Sequence, residues 1–239
     1  MVSSEKAVTI ATSYKNIYAA VGIHPHHVVK YQNPESGYQN DVGRIESFLQ
    51  NKHVVAVGEV GLDRHIYTDT KYENYSVNDS LLSLQKTILA EQIKLALVYQ
   101  KSLILHNREA TADILLLLKE CWDNRLVGKT VFHCCEADKT LLTFAKEHDI
   151  YIGVDGDVTY DKKKQEFVKH IPLELLAVET DAPFLLPEPL KSQKAYPNKP
   201  ENLPLIIETL SKLRNESAAT VANQTRENAE KLFQTANSN

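Results

Sequence analysis

The chain has 239 residues, 43% of them hydrophobic and 24% charged, and a formal net charge of −4. That balance is ordinary for a soluble globular protein; it argues against a strongly basic nucleic-acid binder but leaves room for an enzyme that grips a few phosphates locally. No apolar run approaches the ~18 residues of a membrane helix, Met1 to Lys6 lacks a signal-peptide core, and Cys121, Cys134 and Cys135 form no CxxC pair or disulfide framework, which fits a reducing cytoplasm.

Glu5 to Tyr14 has helical periodicity, and Ile17 to Val21 reads as a strand closed by Gly22. His24-Pro25-His26-His27 follows. Histidines clustered at a strand end suit a metal or phosphate site, or plain solvation, and Pro25 predicts a loop. Asn33 to Asn40 is turn-rich, with Pro34, Ser36 and Gly37, and Asp41 caps a helix expected to reach Gln50. Val54 to Val57 is a buried strand. Gly58-Glu59-Val60-Gly61-Leu62-Asp63 then turns tightly and brings the Glu59 carboxylate to the strand tip. Arg64 to Asn78, with Tyr67, Tyr72 and Tyr75, has no period and reads as an exposed functional loop. Ser80 to Tyr99 is a long amphipathic helix, with Leu81, Leu84, Ile88, Ile93 and Leu97 on its apolar face.

Leu103 to Leu105 is a strand that delivers His106-Asn107-Arg108, and Thr111 to Cys121 is helical. Thr130 to Phe132 delivers His133; Cys134 and Cys135 beside it are thiolate ligands or small buried strand-end residues. A helix over Asp138 to His148, a strand over Tyr151 to Val154 followed by Asp155 and Asp157, and a short helix over Lys162 to His170 come next. The apolar run Leu175 to Val178 fills a parallel strand and ends in Glu179-Thr180-Asp181-Ala182-Pro183. Two acids there are costly unless a cation meets them, or unless one caps a helix and the other is solvated. The Pro- and Lys-rich stretch to Pro200 reads as a structured loop over the site or an exposed flap. Glu201 to Leu213, Glu216 to Asn223 and Arg226 to Phe233 close the chain as helices.

Apolar strands alternating with helices predict an α/β fold with a parallel sheet. Glu59, His106, His133 and Asp181 all fall at strand ends, at spacings of 47, 27 and 48 residues. Those spacings suit a (β/α)8 TIM-type barrel of about 30 residues per unit, in which side chains from separate strands converge; an open sheet would also place its ligand there. Two carboxylates and two imidazoles suit zinc, manganese or magnesium, and a cation there would activate water for attack on a phosphoryl or carbonyl centre.

With these motifs the chain resembles the TatD family of metal-dependent deoxyribonucleases and hydrolases. The matching stretches are Val21-Gly22-Ile23-His24-Pro25-His26, Val57-Gly58-Glu59-Val60-Gly61-Leu62-Asp63, Leu105-His106-Asn107-Arg108-Glu109-Ala110, Phe132-His133-Cys134, Glu179-Thr180-Asp181-Ala182-Pro183 and the tail Thr225 to Phe233. The resemblance implies a two-metal DNA phosphodiesterase working from a 3′ end. It implies that Glu59 bridges the metals, that His106 and His133 bind one, and that Asp181 binds the other and orients the water. His24 and His26 would line the phosphate cleft, and Arg108 would support the site. Hydrolysis of another ester or amide, or an impaired remnant that only binds nucleic acid or a partner chain, are the alternatives. The family opens with a strand carrying His-x-His that this sequence does not show. The expectation is therefore a single domain over residues 1–239 that lacks the first βα unit and most of strand two. One well-held divalent metal at Glu59, His106 and His133, and self-association through open strand edges, follow from that reading.

Overall fold

The computed structural model describes residues 2–33, 37–67 and 75–235, so the expected turn at Pro34 and Ser36 and the loop position Tyr72 lie outside the described residues. Two compact units divide the chain, Met1–Thr130 and Val131–Asn239. The first contains α1 (Val2–Ser13), β1 (Ala19–Val21), α2 (Gln39–Leu49), β2 (Val54–Asp63), α3 (Asp79–Val98), β3 (Ser102–Arg108) and α4 (Thr111–Cys121). β1 pairs in parallel with β2, and β2 with β3. Val54, Ala56, Val57, Val60 and Leu62 of β2 are fully buried, as are Leu81 and Ile114 of the helices. This near-continuous apolar strand is what a parallel sheet covered by helices demands.

Three expectations need correction in this unit, the first being Asp41, which lies inside the first turn of α2 and does not cap it. The strand at Val54 does not stop at Val57 but runs to Asp63, with a register irregularity between Val57 and Val60. Glu59 therefore sits inside β2, at the irregularity, where the altered pleat re-aims its side chain. His24-Pro25-His26-His27 is not a loop either. Pro25 opens a 3₁₀ helix, Pro25–Tyr31, at the one helical position where its missing N–H costs nothing.

α3 carries two buried glutamines on its apolar face. Gln92 accepts from the Ile23 N–H at 2.6 Å and donates to the Ile23 carbonyl at 3.3 Å. Gln85 does the same for Asp63, at 3.1 and 3.3 Å, and donates to Tyr75 Oη at 2.6 Å. The residues after β1 and at the end of β2 thus get backbone partners where no neighbouring strand supplies them.

The second unit contains β4 (Thr130–His133) from Val131 onward, α5 (Lys139–Glu147), β5 (Tyr151–Val154), α6 (Lys162–Phe167), β6 (Leu176–Val178), α7 (Leu203–Arg214) and α8 (Ala218–Leu232). β4, β5 and β6 pair in that order, all parallel. The two helices expected over Glu216–Asn223 and Arg226–Phe233 are one helix, α8, started by a Ser217 cap on the Thr220 N–H. Thr225 Oγ1 donates to the Val221 carbonyl at 2.9 Å, so its hydroxyl is satisfied inside the helix rather than breaking it. Asn228 of α8 donates to the carbonyls of Leu173 and Leu176 at 2.9 and 2.8 Å, pinning the entry to β6. The Pro- and Lys-rich stretch is structured. Asn198, 3% exposed, donates to the carbonyls of Thr180 and Phe184 at 2.8 and 2.7 Å and so holds the turn that follows β6.

Gly61 is where the backbone tolerates no side chain. Its φ is +155°, and a Cβ would collide with the His106 carbonyl on β3. Gly61→Ala is expected to destabilise the protein by at least about 1–3 kcal/mol. Denaturant unfolding checks this, and an unchanged midpoint would contradict the close-approach argument.

Candidate metal centres

Among the described residues, each unit holds one group of side chains whose donor atoms suit a cation. In the first unit these are His24, Glu59 and His106. β2 supplies Glu59, β3 supplies His106, and the 3₁₀ helix starts from His24, which caps it by accepting from the His26 N–H at 3.2 Å. Glu59 Oε1 lies 2.7 Å from His106 Nδ1 and 3.5 Å from His24 Nε2. The His24 and His106 rings meet edge-on, with centroids 4.6 Å apart. Burial lowers the His24 pKa to about 4, more than its contact with Glu59 raises it. His24 is therefore a neutral imidazole at pH 7, the form that ligates a metal.

Behind this group stands Asp63, with no solvent exposure. Its Oδ2 receives His26 Nε2 at 2.8 Å, His106 Nε2 at 2.9 Å and the Tyr67 hydroxyl at 2.8 Å; its Oδ1 receives the His65 N–H at 2.8 Å. Burial alone would raise its pKa, but the hydrogen bonds from His106 and His26 outweigh that and hold the carboxyl far below the usual range. Burial would likewise lower His106, yet Asp63 and Glu59 together raise it. The exposed Arg108 guanidinium lies 5.5 Å from the centre of the Tyr67 ring.

In the second unit the group is His133, Cys134 and Asp181. Glu179 organises it. One of its oxygens pairs with His133 Nδ1, and the other accepts from the Cys134 N–H at 2.7 Å. His133 Nε2 then faces Asp181 Oδ1 at 3.5 Å. Gly153 of β5 makes room for this, because a Cβ there would strike the Glu179 carboxylate. Cys134 and Asp181 both have left-handed backbone, φ 49° and 50°, a strained conformation for residues with side chains and one that clusters at functional sites. Cys134 Sγ donates to Asp155 Oδ2 at 2.5 Å, and burial, with the Asp155 and Glu179 charges, raises its pKa well above that of a free thiol. Lys164, buried, meets Asp155 at 3.3 Å and Asp157 at 2.6 Å.

Both groups fit a divalent cation. With bonds of about 2.1 Å, ligand atoms on one tetrahedral metal stand about 3.4 Å apart. The two open imidazole–carboxylate edges measure 3.5 Å each. Glu59 and His106, expected as ligands of one metal, lie together in the first unit; His133, expected with them, faces Asp181 in the second. His24 also stands in the first group, 3.5 Å from Glu59 Oε1. His26 is nearly buried and tied to Asp63. Sequence reasoning missed Asp63, Gln85, Gln92 and Asn228. The signal for the glutamines was present: two polar residues seven positions apart, in register with Leu81 and Ile88 on one apolar helix face.

Comparison with known proteins follows the same lines. Residues 1–234 match the family described as TatD related DNase. The 3′-5′ ssDNA/RNA exonuclease TatD of Edwardsiella piscicida is 32% identical over 241 residues, covering 99% of this chain and 85% of that protein. The uncharacterized metal-dependent hydrolase YabD of Bacillus subtilis is 31% identical over 230 residues, covering 95% and 82%. Among solved structures, YjjV, a TatD homologue from Escherichia coli, superposes with a TM-score of 0.78 at 28% identity, over 96% of this chain and 82% of that one. No helix among the described residues is long and apolar enough to cross a membrane.

The buried Lys164 cluster sets a pH dependence. Burial, with the Asp155 charge beside it, pushes Asp157 up to about 7 despite the pull of Lys164. Unfolded, the same group titrates near about 3.9. The folded protein therefore holds the extra proton between those values, and stability contributed by Asp157 falls as pH rises through that window. Asp157→Asn is expected to flatten the decline of melting temperature between about pH 4 and 7. Parallel profiles for the two proteins would refute this.

Proposed function

The chain belongs to the TatD related DNase family, and on that premise we propose that it hydrolyses DNA phosphodiester bonds from a 3′ end with divalent cations held by its two carboxylate–imidazole groups. It is a metal-dependent hydrolase acting on ester bonds, as its relatives are. The observation that carries the finer reading is the repeated donor set: in each unit an imidazole nitrogen faces a carboxylate oxygen across a 3.5 Å gap.

A bound divalent cation supplies Lewis acidity and a water of lowered pKa. The protein side chains do the rest. Glu59, His106 and His24 would hold the cation in the first unit, and His133 and Asp181 would hold it in the second. Asp181, held in its turn by Asn198, orients the attacking water and accepts its proton. Arg108, exposed beside Tyr67, meets the phosphate diester as a fixed positive charge. Mixed oxygen and nitrogen donors suit magnesium, manganese or zinc. Free Cys121, Cys134 and Cys135 suit a reducing compartment, and cytoplasmic residence is part of the proposal.

End-labelled single-stranded DNA with Mg²⁺ or Mn²⁺ tests this. Stepwise shortening from the 3′ end, abolished by a chelator, is expected. Glu59→Gln and Asp181→Asn should each slow it roughly 100-fold or more, equivalent to about 2.7 kcal/mol of transition-state stabilisation. Binding to DNA without shortening would overturn the proposal in favour of a non-catalytic nucleic-acid binder.

A further inference from the structure

The geometry points to Asp63 as a positioning residue that decides which nitrogen of His106 faces the cation. The inference rests on the metal-dependent reading above and adds a residue to it. Three observations carry it.

Asp63 is already committed as a hydrogen-bond acceptor. An ionised carboxylate offers about four acceptor positions. His26, His106, Tyr67 and the His65 N–H supply four donors to it at 2.8 to 2.9 Å. Oδ2, the oxygen that holds both rings, takes three of the four, and the residue has no solvent exposure.

His106 is gripped unequally at its two nitrogens. Nε2 donates to this enclosed carboxylate at 2.9 Å. Nδ1 faces Glu59, whose side chain is 30% exposed and also borders His24. Of the two partners, Glu59 is the one that solvent reaches, and so the one placed to share an ion with the ring. Asp63 thus fixes the Nε2–H tautomer and leaves the Nδ1 lone pair for the cation, which is the role carboxylates play behind metal-bound histidines.

The Asp63 backbone is anchored as well. Gln85 of α3 clamps the Asp63 N–H and carbonyl, and Tyr75 donates to the same carbonyl at 3.1 Å. The same Oδ2 holds His26 in the Nε2–H form, so one oxygen sets the tautomers of rings arriving from two different elements.

Nitrogen-15 NMR of histidine-labelled protein, titrated with Zn²⁺, tests this without reference to activity. Zinc on His106 Nδ1, with a slowly exchanging proton on Nε2, is expected. Coordination through Nε2 overturns the inference in the unaltered protein, so it does not depend on any variant folding. Asp63→Asn places an amide donor where two ring donors converge; zinc affinity should fall roughly 10–100-fold with the far-ultraviolet circular dichroism preserved. Tyr67→Phe, which removes a hydrogen bond to the same oxygen but touches neither ring tautomer, should leave affinity within about threefold. Equal losses in the two variants, or none in Asp63→Asn, reject the positioning role. Zinc bound through Nδ1 in a protein that leaves DNA intact keeps this inference and sinks the proposed activity. Absence of zinc at His106 sinks the inference and the metal reading together.

Discussion

A carboxylate sealed from water must have its lone pairs filled, and this requirement shapes both halves of the molecule. Asp63 meets it with two imidazoles, a phenol and a backbone amide. Glu179, less deeply placed, meets it with an imidazole and the Cys134 amide. In each unit the acid belongs to one strand or its end, and the histidine it grips comes from another strand. One ring nitrogen is consumed by the grip, and the other is turned toward a second, more accessible acid: Glu59 for His106, Asp181 for His133. The two groups are chemically alike although no sequence repeat links them.

Holding these side chains costs the backbone its regularity. β2 breaks register at Glu59, and Gly61 lets β3 come close. Cys134 and Asp181 adopt left-handed conformations that most residues avoid. Such irregularities persist only where the surroundings over-determine them. Here amide side chains from outside the sheet do so: Gln85 and Gln92 from α3, Asn198 from the loop after β6, and Asn228 from α8. Each is almost fully buried, and each satisfies main-chain groups that the strands leave over.

How far the sequence revealed this differs from element to element. The strand at Tyr151 to Val154 and the helix at Thr111 to Cys121 have the bounds their patterns predict, because apolar runs and leucine periodicity report burial directly. Glu59, His106, His133 and Asp181 were legible as residues of metal-ligating type on or just after strands. Their second partners were not. Nothing in Gly61-Leu62-Asp63 says that Asp63 lies under two histidines, since that depends on the register of β3 against β2. Pro25 was misleading for a different reason: the residue that ends a helix in its interior begins one at its first turn. Between Asn223 and Arg226, where the reading parted two helices, Thr225 bonds inside one continuous helix.

The two glutamines of α3 have a consequence of their own. They are seven residues apart, so the helical rise places them about 10.5 Å from one another along the axis. One holds the chain just past β1, the other the last residue of β2. The helix thereby acts as a gauge: the offset between the ends of these two strands is copied from a helical repeat and not left to strand pairing alone. A single residue inserted between Gln85 and Gln92 would rotate one amide about 100° off the buried face and erase the gauge, while leaving the composition and the apolar character of the segment unchanged.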